Sequence, residues 1–120
     1  MKRIIVSILL IIPLIVATSY SEKSGLLPTS LNIKVIDYVG NIVEGAAVRL
    51  FHTEDDYRNE TNQIGEIQYT DKKGKTTFKN LETRIYFLYV TKDDMNNVGG
   101  GVQTDTLKSG KVNKINIVIE

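Results

Sequence analysis

The stretch YTDKKGKTTFKNL, residues 69–81, decides how the chain is read. Its polar knot, Asp71-Lys72-Lys73-Gly74, lies between Ile67/Tyr69 and Thr76/Phe78, where apolar and polar residues alternate. Alternation with a period of two marks a half-buried strand. Gly74 supplies a positive φ that a β-carbon resists, while Thr70 and Asp71 can cap the turn backbone. The knot therefore reads as a bend between two strands, a hairpin, rather than as a reactive site. Lys72, Lys73, Lys75 and Lys79 cluster around it, and a solvated hairpin tip accounts for them without a phosphate-binding patch.

The same alternation extends in both directions from this bend. Leu31, Ile33 and Val35 share one face of a first strand. Asp37-Tyr38-Val39-Gly40-Asn41 is a turn, and Gly45-Ala46 opens a second strand carrying Val48 and Leu50. Residues 52–65 are polar and follow neither period, which predicts a long exposed loop. Ile85 to Lys92 is the strongest strand, apolar or aromatic at every position from 85 to 90. Asp93 to Gly101 reads as a loop, Val102 to Leu107 as a sixth strand, and Asn113 to Ile119 as a seventh. Seven short strands separated by turn signals predict an all-β, seven-stranded antiparallel β-sandwich over residues 31–120. Leu81 is expected to close the end of the fourth strand against the core.

The start of the chain is of another kind. Lys2 and Arg3 precede an apolar run from Ile4 to Val16, and small residues stand at 17, 19 and 21. That pattern predicts a signal peptide over residues 1–21, followed by a flexible leader over 22–30. The run is shorter than the ~20 residues of a membrane-spanning helix, so cleavage is favoured over a retained anchor. The chain has no cysteine. A lipid-anchored lipoprotein is thereby excluded, and an exported domain of this kind must be held by its core alone. Export to a bacterial periplasm, cell surface or medium is the expected location. Without Lys2 and Arg3 the formal charge falls from +1 to −1, which offers no long-range attraction for nucleic acid or anionic lipid.

Taken in order, Asp37-x-x-Gly40, Gly45-Ala46-x-Val48-x-Leu50, Thr70-Asp71-x-x-Gly74, Phe78-x-x-Leu81 and Tyr86-x-Leu88-x-Val90 resemble the carboxypeptidase regulatory-like domain. The resemblance covers residues 31 to 92 and implies a transthyretin-like, Ig-like Greek-key sandwich. In such domains the matching positions serve the structure: Gly45 and Gly74 in tight backbone, Phe78 and Leu81 in the core.

Chemistries known on related folds were tested against the residues. Hydroxyisourate hydrolases of transthyretin type use several histidines and a C-terminal Tyr-Arg-Gly-Ser, whereas this chain has only His52 and ends Asn-Ile-Val-Ile-Glu. Intradiol dioxygenases require two histidines for iron. Adhesin repeats that join a first-strand Lys to a last-strand Asn would need Lys where Ile36 stands, and a Glu between Ile85 and Thr91. A hydrolytic triad or a zinc site has too few partners around one histidine. Calcium is the one metal with hard ligands at hand, in Glu54, Asp55, Asp56 and Glu60 and again in Asp93, Asp94, Asn96 and Asn97. Neither loop has EF-hand spacing, and acidic loops ordinarily serve solubility. Asn59-Glu60-Thr61 is a glycosylation sequon that a bacterial product carries by chance.

No residue is therefore assigned to catalysis, and no cofactor or metal ligand is expected. One feature points to binding. If the Ile85–Lys92 strand pairs with the second strand, Phe51, Ile85, Phe87 and Tyr89 form an outward aromatic patch suited to docking, unless the leader or a loop covers it. The sequence predicts a non-enzymatic exported module binding a protein, a cell-envelope component or a glycan. The alternative, by analogy with the domain attached to carboxypeptidases, is an accessory or inhibitory subunit modulating an exported enzyme such as a peptidase. Neither nucleic acid nor a stable membrane span is expected to be a partner.

Overall fold

A computed structural model describes residues 27–120; the signal segment and most of the leader lie outside the described residues. The elements in chain order are β1 (Ser30–Asp37), β2 (Ala47–Phe51), α1 (Glu54–Asn59), β3 (Gln68–Tyr69), β4 (Lys75–Phe78), β5 (Phe87–Lys92), β6 (Met95–Asn96) and β7 (Val112–Ile119). The strands form two sheets, β4-β1-β7 and β3-β2-β5-β6. No helix among the described residues is long and apolar enough to cross a membrane.

Alternate side chains of both sheets meet in one core. Leu31, Ile33 and Val35 of β1, with Phe78, Ile117 and Ile119, pack with Val48, Leu50, Leu88 and Val90. Burying each such side chain contributes about 1.5–3 kcal/mol, which is how a domain without disulfides holds together. Leu81 packs against this core, as expected of it. Thr29 and Ser30, read as the end of the leader, are buried, and the Ser30 N–H donates to Lys111 O at 3.0 Å.

The opening stretch bends where expected, but it does not make a hairpin. β3 pairs with β2 and β4 pairs with β1, so the bend carries the chain from one sheet to the other. Its construction repeats that of the earlier Asp-x-x-Gly turn. Asp71 Oδ1 accepts from the N–H groups of Lys73 (2.8 Å) and Lys75 (3.0 Å), and the Gly74 N–H donates to Asp71 O at 2.9 Å. At residues 37–41, Asp37 Oδ1 accepts from Val39 and Asn41, and the Gly40 N–H donates to Asp37 O at 2.9 Å. Gly74 has φ +74°, and a β-carbon there would lie 2.7 Å from Ile42 Cγ2. Thr70 does not cap its own turn. Its hydroxyl accepts from the Ala46 N–H (2.8 Å) and donates to Val43 O (2.7 Å), pinning the chain just ahead of β2.

Three further expectations are corrected. The sandwich is not wholly antiparallel, because β1 and β7 run parallel from Ser30↔Val112 to Asp37↔Ile119. A parallel pair needs a long crossover, and here everything between the first and last strands serves as one. Residues 52–65 hold the short helix α1. Val102 to Leu107 is not a strand: it touches β5 through a single bridge, Phe87↔Gln103, while β6 arises inside the expected loop. Between these two contacts Val98 to Gly101 turns away, and the buried Asn97 amide fills the gap on the edge of β5.

Candidate functional site

β2 and β5 pair as the patch required, with Phe51 opposite Phe87 and Arg49 opposite Tyr89. The four patch residues do not share one environment. Phe51 is fully buried, which removes it from any exposed surface, whereas Ile85, Phe87 and Tyr89 are half-buried.

The cover is α1. Thr53 caps the helix, its hydroxyl accepting from the Asp56 N–H at 3.0 Å. Glu54, Asp55 and Asp56 occupy the first turn, where the helix dipole favours negative charge. Arg58 pairs with Glu54 one turn earlier, and Glu60 ends the helix in the left-handed region. From this frame Tyr57 lies over the sheet, its ring centroid 6.3 Å from Phe51, 6.4 Å from Phe87 and 6.1 Å from Tyr89. Burial pushes the Tyr57 phenol above its ordinary pKa, and neighbouring Tyr89 adds to the effect.

Arg49 closes the side of this cluster. Its guanidinium carbon is 4.8 Å from the Tyr89 ring centroid, and its Nη2 donates to Glu60 Oε1 at 2.7 Å. What remains open is a shallow groove of about 240 Å³, lined by Tyr57, Arg58, Glu60, Tyr89 and Val98. The aromatic face is thus largely an internal layer between sheet and helix. Tyr57 was the residue that sequence reasoning missed. Its signal was a threonine followed by three acidic residues, with an arginine four positions after Glu54.

The polar candidates are engaged locally. Asp56 Oδ1 accepts from Asn62 Nδ2 (3.0 Å) and Thr61 Oγ1 (3.3 Å), and the bond from Asn62 leads in holding its carboxyl below the usual range. Glu54 and Glu60 face arginines, and the Asn97 amide is buried against β5. Among the described residues no group of three or more His, Cys, Asp or Glu is arranged to hold a metal ion. The His52 ring packs 5.5 Å from that of Tyr86, and its carbonyl accepts from Arg84 Nη2 at 3.3 Å. Tyr86 is itself structural: its buried hydroxyl accepts from the Glu82 N–H at 2.8 Å, a tyrosine-corner arrangement.

A second groove, of about 480 Å³, runs beside β7 and is lined by residues 104–108 and 111–115 with Leu31.

No protein-family model and no curated protein matches the chain. Solved structures do. The Streptococcal ancillary pilin superposes with a TM-score of 0.57 at 19% identity, over 78% of this chain and 32% of the pilin. The Bacillus anthracis TIE protein does so with a TM-score of 0.52 at 16% identity, over 78% of this chain and 17% of the other. The chain shares its fold with a part of each. It spans a third or less of the length of these two proteins.

The inner layer of this fold is apolar here. The core-facing positions of β1, β5 and β7 carry Leu, Ile and Val. Lys34 with Asn116 and Asn32 with Lys114 are in register between β1 and β7, but they lie on the outward face.

Proposed function

We propose that the chain is an exported, non-enzymatic module of carboxypeptidase regulatory-like type that works through contacts on its outer faces. The observation that carries this reading is the state of the interior. Three of the buried polar side chains are tied to backbone: Thr70 to Val43 and Ala46, Asn97 to Leu88 and Val90, and Thr104 to the Tyr86 N–H at 3.0 Å. Among the described residues, the grooves of about 480 and 240 Å³ both open on the outside. The likeness to a pilin and to a second bacterial protein supports the same reading at the level of fold.

The partner is a protein, a cell-envelope component or a glycan. On the α1 side the surface offered is the groove at Tyr57, Tyr89 and Val98, with Phe51, Ile85 and Phe87 beneath or beside it. The full chain, expressed in a bacterial host and carrying a photo-crosslinking residue at Val98, is expected to appear in envelope or medium fractions and to crosslink there. Retention in the cytoplasm, or a hydrolytic activity abolished by His52→Ala, would overturn the reading.

A further inference from the structure

A near-neutral balance conceals segregated charge. Leu31, Ile33 and Val35 point into the core, so Asn32 and Lys34 stand on the outer face of sheet β4-β1-β7. Lys75 lies directly opposite Lys34, and Lys114 is in register with Asn32. Like charges placed opposite each other on a sheet are unfavourable. The carboxylates at or beside the strand ends, Asp37 and Asp71, are bound by their own turn backbone, and Asp71 also feels the charge of Lys75. Lys79 and Lys111 continue the series, lining a groove with Ser30, Thr77 and Val112. Lys108 extends it into the groove along β7, where Asp105 is the acidic residue of the lining.

The ion pairs point the same way. Arg49, Arg58 and Arg84 are each paired with a glutamate, and among the described residues no lysine is in an ion pair. Acidic Glu54, Asp55, Asp56 and Glu60 lie on or next to α1, which covers the other sheet.

We propose that the outer face of β4-β1-β7 binds a linear envelope polymer of phosphodiesters separated by uncharged polyol units. This rests on the surface-module reading and names its partner by class. Lysines act as separate point charges, suited to single negative charges repeated along a flexible chain rather than to bidentate capture of one group. The outward residues of the three strands include no aromatic. The face therefore lacks the stacking platforms with which single-stranded nucleic acid is held. Binding by such a track is sequence-independent and releases counterions, so it weakens steeply with salt.

The test uses the full chain and a synthetic poly(glycerol phosphate), with single-stranded DNA and anionic phospholipid vesicles as competing ligands. Engagement of about four phosphates predicts roughly a 50-fold loss of affinity between about 50 and 200 mM salt. Lys34→Gln with Lys114→Gln should weaken binding about tenfold or more and flatten that salt slope, without lowering the melting temperature. Arg84→Gln with Lys92→Gln, an equal change of charge elsewhere, should leave affinity within about twofold. No binding at low salt, equal weakening by both pairs, or tighter binding of DNA or vesicles would overturn the proposal. If the polymer fails to bind while the protein still reaches the envelope, this inference falls and the surface-module reading stands.

Discussion

The side chain of Asn97 takes the place of a strand beside Val90. Its Oδ1 accepts from the Val90 N–H at 2.9 Å, and its Nδ2 donates to Leu88 O at 3.0 Å and Gly101 O at 3.2 Å. One amide thus satisfies two adjacent backbone groups of β5 where the neighbouring chain, Val98 to Gly101, swings away. Backbone groups in a core must be paired, so an excursion at this edge requires such a substitute.

Replacing Asn97 with Ala leaves a buried donor and a buried acceptor unpaired. Each costs about 1–3 kcal/mol, so a loss of about 2–5 kcal/mol is expected in denaturant titration. Asn97→Asp keeps the acceptor but removes the donor and buries a charge, and it should be no more stable than Asn97→Ala. A loss below about 1 kcal/mol for Asn97→Ala would show that water replaces the amide.

Gly74 is held by conformation and by space. Its φ of +74° is unfavourable for any other residue, and a β-carbon would also approach Val35 O to 2.9 Å. Strain of about 1–2 kcal/mol and overpacking of about 1–3 kcal/mol combine, so Gly74→Ala should cost roughly 2–5 kcal/mol. Gly40 has φ +95° and open space around it. Gly40→Ala should therefore cost the strain alone, and the difference between the two variants measures the crowding.

The Asp71 carboxyl is held below its ordinary value of 3.8, first by the bond from the Lys75 N–H and then by that from Lys73. A folded-state value below the unfolded one stabilises the protein above the unfolded value, and that contribution is lost as pH falls through the folded one. Asp56 acts in the same direction. Stability should therefore decline below about pH 4. Asp71→Asn should be less sensitive to acid over that range than the parent, as read by melting temperature against pH. Parallel curves would exclude Asp71 as a contributor.

How far these features were legible depends on what sets them. Alternation along 31–35 and 46–50 located β1 and β2, because a half-buried strand imposes it residue by residue, and the unbroken apolar and aromatic run of 85–90 located β5. The Asp-x-x-Gly bends were legible because each is built from its own five residues. Pairing direction and sheet membership were not. Whether β4 joins β3 or β1 depends on partners distant in the chain, and a bend looks the same in either case. Val102 to Leu107 read as a strand because local pattern does not reveal that Asn97 and β6 occupy most of that edge. The pairing of β2 with β5 was expected, and a covering loop was left open, but the helical form of that cover was not legible because six helical residues are too few to display a period.

That cover provides the most direct test of the α1 face. Tyr57 is the side chain that contacts Phe51, Phe87 and Tyr89 together. Truncating it to Ala removes a half-buried ring, with a cost of about 1–3 kcal/mol, below that of a core aromatic. It also uncovers apolar area on the outer face of β5, and such patches promote association. The expected result is a folded protein with a lower melting temperature, increased binding of a hydrophobic dye and concentration-dependent self-association. Glu54→Ala removes the exposed pair with Arg58 and leaves the ring in place, so it should change stability by less than about 0.5 kcal/mol and alter neither of the other readouts. If Tyr57→Ala behaves like Glu54→Ala, α1 is not what shields the sheet, and the aromatic layer is stable without it.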